Sequence, residues 1–184
     1  MAHGKVFAMK RQIQSDGVTK LRKSIYEEAD GQKPIRIKKK LAPTDFSPAS
    51  KKAFSYALRL AQEQGSKITL LHVLEPESPL TLAGRPAAAA LSKEELADTE
   101  ESLRALADEA AGAGVAGAKS IVRTGVATYE IIEAAKELHI DLIVIATHGF
   151  TGWKHFAIGS TAERVARAAP CPVLVVREKE HDFT

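Results

Sequence analysis

The segment Asp141–Thr147 reads DLIVIAT, and its five central residues, Leu142 to Ala146, are all apolar. A run so short and unbroken predicts a strand covered on both faces of a sheet, because a half-exposed strand would alternate polar with apolar positions. Four further stretches read as strands: IRIKKKLA (Ile35–Ala42), ITLLHVL (Ile68–Leu74), AKSIVR (Ala118–Arg123) and CPVLVVR (Cys171–Arg177). Helical spacing fills the intervals between them. Ser47 is a good N-cap with Pro48 in the favoured first position, Ala53, Phe54, Ala57, Leu58, Leu60 and Ala61 share one face, and Gly65 ends that helix. Ser92 and Glu95 form a capping box with Leu91 and Leu96 as its hydrophobic staple, and Leu96, Leu103, Leu106 and Ala110 continue the stripe. Ile131, Ile132, Ala135 and Leu138 mark a third helix, and Ser160 with Glu163 predict a capping box on a fourth. Five strands alternating with four helices predict an α/β domain: one parallel sheet, right-handed crossovers and helices on both faces.

This pattern occupies residues 35–178. Residues 1–34 show little periodicity beyond a short helical candidate, Lys20–Ala29, and residues 179–184 form a tail. Residues 1–40 hold 11 Lys/Arg against 4 Asp/Glu, a net +7, whereas the remainder carries −4 within a chain total of +3. Such an arm can hold nucleic acid or an acidic membrane surface. Without interleaved aromatics or zinc-ligand spacing, a solvated peripheral extension is the expectation and nucleic acid is not the expected partner. No run of 18 apolar residues is present, so no membrane span is expected. The N-terminus lacks the apolar stretch of a signal peptide, and Cys171 is the single cysteine, so a cytoplasmic setting is the simplest expectation.

In sheets of this kind ligands bind beyond the carboxyl ends of the strands. Ala42-Pro43-Thr44-Asp45-Phe46-Ser47 follows the first strand, and Ala146 through Thr161, with Gly149, Gly152 and Gly159, follows the fourth. Gly159-Ser160-Thr161 enters a helix whose amides and positive end favour a phosphate, though Ser160 also reads simply as a cap. Asp45 suits ribose hydroxyls, and equally suits fixing the strand-to-helix turn. The 17-residue connection Glu75–Leu91 has the length of a lid or binding loop. Gly112-Ala113-Gly114-Val115-Ala116-Gly117 spells a dinucleotide fingerprint, but a helix precedes it and a strand follows, the reverse of what that motif needs; it reads as a loop. His72 reads as a hydrogen-bonded structural histidine. His148, His155 and Lys154 sit in the candidate phosphate loop without an evident catalytic partner, and no catalytic set emerges.

PTDFS after the first strand, LLHV in the second, and the run from Gly149 to Gly159-Ser160 followed by PCPVLVVR resemble the universal stress protein family (UspA-like) from Ile35 to about Arg177. The resemblance implies a Rossmann-like fold of the adenine nucleotide alpha hydrolase-like kind, with strand order 3-2-1-4-5. ATP-binding members have the pattern G-x2-G-x9-G-[ST]; here Ala146 stands at the first glycine, and Gly149, Gly159 and Ser160 match the rest. Carried over by position, Ala42, Val73 and Ile145 would flank adenine, with Pro43 and Thr44 beside them, and Asp45 would meet the ribose. Gly149, Gly159, Ser160 and Thr161 would hold the phosphates of ATP, with Mg²⁺ carried through them. The resemblance also implies a homodimer through Cys171–Arg177, whose apolar edge invites association.

The function expected is a nucleotide-responsive regulatory module of stress response. Its alternatives are a protein-interaction module of the same fold that has lost the nucleotide, and a slow ATPase. Lys40 departs from the family's usual apolar residue in the first strand. Either its stem packs while the ammonium escapes at one end, or the strand starts later.

Overall fold

The structure is a computed structural model that describes residues 35–75, 93–147 and 159–179, and from Ile37 onward these belong to one compact unit. Its elements are β1 (Lys39–Pro43), α1 (Pro48–Gln64), β2 (Lys67–Leu74), α2 (Lys93–Gly112), β3 (Lys119–Thr124), α3 (Ala127–Glu137), β4 (Leu142–Ala146), α4 (Ser160–Ala168) and β5 (Val173–Val176). The five strands form one parallel sheet in the order β3-β2-β1-β4-β5. The fold expected from the alternation, and the strand order implied by the resemblance, are those observed.

Period-two alternation sorts the side chains into two layers. Ala42, Ile68, Leu70, Leu142, Val144 and Val176 face α1 and α2. Leu41, Leu71, Ile143 and Ile145 face α3 and α4. Every residue of β4 is buried, as its unbroken apolar run requires. On α1 the buried alanines 49, 53, 57 and 61 recur every fourth residue, so one narrow stripe of small side chains lies against the sheet, with Phe54 beside it. Burying Phe54 contributes roughly 2–3 kcal/mol. Ser47 caps α1 by accepting from the Ser50 amide at 3.2 Å, and Gly65 ends it in the left-handed region at φ 60°. The decoy glycine run links α2 to β3, with Gly114 and Gly117 at positive φ, which places it at the sheet end opposite the strands' carboxyl termini.

Several expectations are corrected. β1 begins at Lys39 rather than Ile35, because the amides of Lys38 and Lys39 are held by the Asp141 carboxylate, at 2.8 and 2.9 Å, ahead of the ladder with β4. Leu96 is exposed: α2 has no buried residue before Leu103, so its first turns do not lie on the core. Ser92 and Leu91 lie outside the described residues. The capping box at Ser160 does not form. Gly159 is the N-cap, Ser160 is already helical, and Glu163 bonds Arg167 at 2.6 Å instead of reaching back.

Lys40 is fully buried in the central strand. Its ammonium donates to Gln64 Oε1 at 2.8 Å and to Ser66 Oγ, two acceptors at the C-terminal end of α1 and just beyond it. Of the two expectations, the later strand start is met, but the ammonium does not escape at one end and stays inside. Burial pushes its pKa below the ordinary 10.5, and Asp141 offsets only part of this. A depressed lysine pKa means that the folded chain holds its proton less tightly than the unfolded chain. Stability therefore rises with pH from the folded-state value toward 10.5 and is lost as pH falls through the folded-state value. Lys40→Met, which fills the same volume without an ionisable group, is expected to be within about 1 kcal/mol of the parent or more stable at neutral pH. Its advantage should shrink as pH rises, measured by urea melts between pH 7 and pH 10; a gap independent of pH would refute the account.

Candidate functional site

Right-handed crossovers place α1 and α2 on one face and α3 and α4 on the other, so the chain changes sides between β1 and β4. At that switch the two central strands part. Their pairing covers Lys40 with Leu142 and Leu41 with Ile143 and goes no further. Beyond it, β1 is drawn toward β2, with the Thr44 amide on Leu71 O at 2.8 Å. β4 is drawn toward β5, with the Thr147 amide on Val176 O at 2.9 Å. A crevice opens between the carboxyl ends of two adjacent strands, where open α/β sheets take their ligands.

The β1 wall is a tightly bonded turn. Asp45 Oδ1 accepts from the Ser47 amide at 3.1 Å and from Ser47 Oγ at 2.6 Å. Of the two roles that the sequence left open for Asp45, the turn-fixing one is therefore realised. Thr44 Oγ1 accepts from the Phe46 amide at 3.0 Å and lies 3.1 Å from Ser50 Oγ, which donates to Ser47 O at 3.0 Å. Thr44, Ser47 and Ser50 are all buried. Phe46 sits at φ 64°, a left-handed conformation costing a side-chain-bearing residue roughly 1–2 kcal/mol. Its ring stacks on His72 at 4.8 Å between centroids, and His72 Nδ1 donates to Thr44 O at 2.7 Å. The structural reading of His72 is correct, and Val73 follows it, half-buried, near the end of β2.

The β4 wall is Ile145, Ala146 and Thr147, all buried. Ala146 ends the strand in extended backbone opposite Val176, so the angular freedom of a glycine is not used there. The Gly159 amide donates to Thr147 O at 2.7 Å, which pins the start of α4 directly onto the end of β4. The first intrahelical bond of α4 runs from Glu163 N to Gly159 O, leaving the amides of Ser160, Thr161 and Ala162 ahead of the helical ladder. Gly159 itself has φ −60°, open to any residue. The backbone angle therefore does not require a glycine here. Ala42, Pro43, Thr44, Asp45, Ile145, Ala146, Gly159, Ser160 and Thr161 come together at the two walls, with Val73 on the neighbouring strand. Gly149, Gly152, His148, His155, Lys154 and most of the connection Glu75–Leu91 lie outside the described residues.

Phe46, Ser50 and the position of Thr147 were missed in the sequence. A phenylalanine between Asp and Ser gives no sign of a left-handed turn, and only the paired hydroxyls of TDFSPAS hint at the network. Among the described residues no three His, Cys, Asp or Glu side chains are grouped to hold a metal ion, and no helix is long and apolar enough to cross a membrane.

The profile described as "Universal stress protein family" matches residues 36–177. A universal stress protein of Methanocaldococcus jannaschii is 32% identical over 145 residues, covering 79% of this chain and 85% of its own. Universal stress protein YxiE of Bacillus subtilis is 32% identical over 147 residues, covering 76% and 98%. The solved structure of UspA from Lactobacillus plantarum superposes with a TM-score of 0.68 at 30% identity, covering 78% of this chain and 99% of its own. More distant structures share the fold. One is a universal stress protein in complex with cAMP, with TM-score 0.60 and 24% identity, covering 77% and 98%. Another is an Arabidopsis thaliana member with AMP bound, with TM-score 0.52 and 22% identity, covering 76% and 91%.

Ser47 holds both the α1 cap and the Asp45 carboxylate. Ser47→Ala is expected to lower stability by about 1–2 kcal/mol, more than Ser160→Ala, whose hydroxyl caps nothing within its helix. Urea denaturation of the two variants gives the comparison.

Proposed function

The chain belongs to the universal stress protein family, and we propose that it is an adenine nucleotide-binding regulatory module that takes ATP in the crevice between β1 and β4. The observation that carries this reading is the parting of the central strands beyond Leu41 and Ile143, with the start of α4 pinned to one lip. The backbones of Ala42 and Ile145, with Val73 on the neighbouring strand, would flank the base. Asp45 is held in one rotamer by Ser47, which pre-orients a carboxylate for ribose hydroxyls. The phosphates meet the amides of Ser160, Thr161 and Ala162 and the positive end of α4, while the Gly159 amide is already committed to Thr147. Mg²⁺ would travel with the phosphates and neutralise part of their charge. Fold relatives carrying cAMP and AMP lend support to the adenine nucleotide class. On this reading the stress-response role is that of a sensor whose partners distinguish filled from empty protein.

Gly159→Val places a branched side chain where the phosphate must approach the backbone. It is expected to fold normally, since φ −60° is open to valine, and to abolish ATP binding. Ala146→Gly should hold or raise affinity. Calorimetric titration with ATP, ADP and AMP reads both; no heat from the parent at millimolar ATP with Mg²⁺ overturns the nucleotide reading in favour of an interaction module.

The same reading includes a homodimer through β5. The carbonyls of Pro172 and Val176 serve β4, accepting from the Ile143 and Thr147 amides, so by alternation the backbone groups of Val173 and Val175 point outward. An apolar edge of this kind favours pairing with a second copy. On the opposite edge, Lys119 and Arg123 punctuate β3, and Arg123 is held by Glu137 and, at 3.5 Å, by Glu130 of α3. Val175→Pro removes an outward N–H and some packing on the α3 and α4 face but none of the bonds from β5 to β4, and is expected to shift light scattering at micromolar concentration from dimer to monomer. A monomeric parent would refute the dimer.

A further inference from the structure

We infer that His72 is a positioning residue for the nucleotide: it orients the Thr44–Asp45 peptide and, through Phe46, the turn that presents Asp45 to the crevice. This rests on the crevice being a nucleotide site. β2 holds Thr44 by both of its backbone groups, the amide through Leu71 O at 2.8 Å and the carbonyl through His72 Nδ1 at 2.7 Å. A carbonyl acceptor requires that Nδ1 carry its proton, which fixes the ring's tautomer when neutral. The trans peptide is planar, so turning Thr44 C=O toward His72 turns the Asp45 N–H the opposite way, away from β2. The imidazole also lies under Phe46, with an interplanar angle of 26°, and Phe46 is the residue at φ 64° whose conformation the turn must hold. Directly after it, the Ser47 amide locks Asp45 Oδ1. One side chain on a neighbouring strand thus supports both the peptide before Asp45 and the strained residue after it. Neither contact needs the imidazole to touch the ligand.

Two variants separate these contacts. His72→Phe keeps an aromatic ring for stacking and loses the donor. His72→Asn loses the ring but places an amide N–H at the position of Nδ1. If His72 merely filled space, affinity for ATP, ADP and AMP would follow melting temperature, and the asparagine variant, with less buried surface, would be the worse of the two. A positioning role gives the reverse order. His72→Phe should bind all three nucleotides about tenfold more weakly, the loss expected for one buried hydrogen bond, while His72→Asn recovers most of the affinity despite a lower Tm. Affinities that track Tm, or a phenylalanine variant that binds like the parent, overturn the inference. A ligand-free measurement stands beside these. Amide exchange at Phe46 and Ser47 should accelerate most in His72→Phe and less in His72→Asn, which keeps the donor and loses only the stacking. Should the parent bind no nucleotide, the proposed function fails, and this exchange alone decides whether His72 orders the turn; unchanged rates would overturn it.

Discussion

Two central strands that share a ladder for two residue pairs and then part company set up everything else in this protein. The parting is a consequence of chirality. Each parallel crossover is right-handed, so a chain that adds strands first on one side of β1 and then on the other must send its helices to opposite faces. The crossovers that leave β1 and β4 therefore run to opposite faces of the sheet. Their carboxyl ends are free to follow their outer neighbours, β2 and β5, through the amides of Thr44 and Thr147. The sheet supplies an opening without a cavity having to be cut into the core.

The walls of that opening are made rigid by polar groups that would be costly if left unpaired. Thr44, Ser47, Ser50 and Thr147 are all at least nine-tenths buried. The first three satisfy one another through a network of hydroxyl and amide bonds reaching Asp45, and Thr147 bonds through its backbone to β5 and to Gly159. Such networks stabilise little on balance, because each bond replaces one to water, but they penalise any rearrangement that breaks them. The left-handed Phe46 persists on these terms, over-determined by His72 on one side and by the Asp45–Ser47 bonds on the other. Strain of this kind persists only where the surrounding structure over-determines it.

Lys40 shows the same logic without an evident ligand. A buried ammonium in the centre of a sheet is tolerated because Gln64 and Ser66 meet it and Asp141 lies close enough to attract it. Asp141 has a second duty, receiving the amides of Lys38 and Lys39 where β1 starts. One carboxylate at the head of β4 therefore fixes the beginning of the central strand and offsets part of the cost of its buried charge.

Hydrophobic period and capping chemistry are local properties, and the residues alone determined what depends on them: five strands, four helices, the cap at Ser47, the stop at Gly65 and the layer assignment of an apolar β4. Position after a strand was enough to bring Asp45, Ala146 and Gly159 forward as candidates. Tertiary structure decided what depends on partners distant in sequence. Lys40 is buried because Gln64 and Ser66 arrive beside it. Leu96 is exposed because the first turns of α2 do not lie on the core, and Ser160 is not the cap because Thr147 draws in the amide of Gly159 and sets the helix start there. His72 meets Thr44 and Phe46 because β2 runs next to β1. A side chain's own chemistry states which bonds it can make; only the fold supplies the group that makes them.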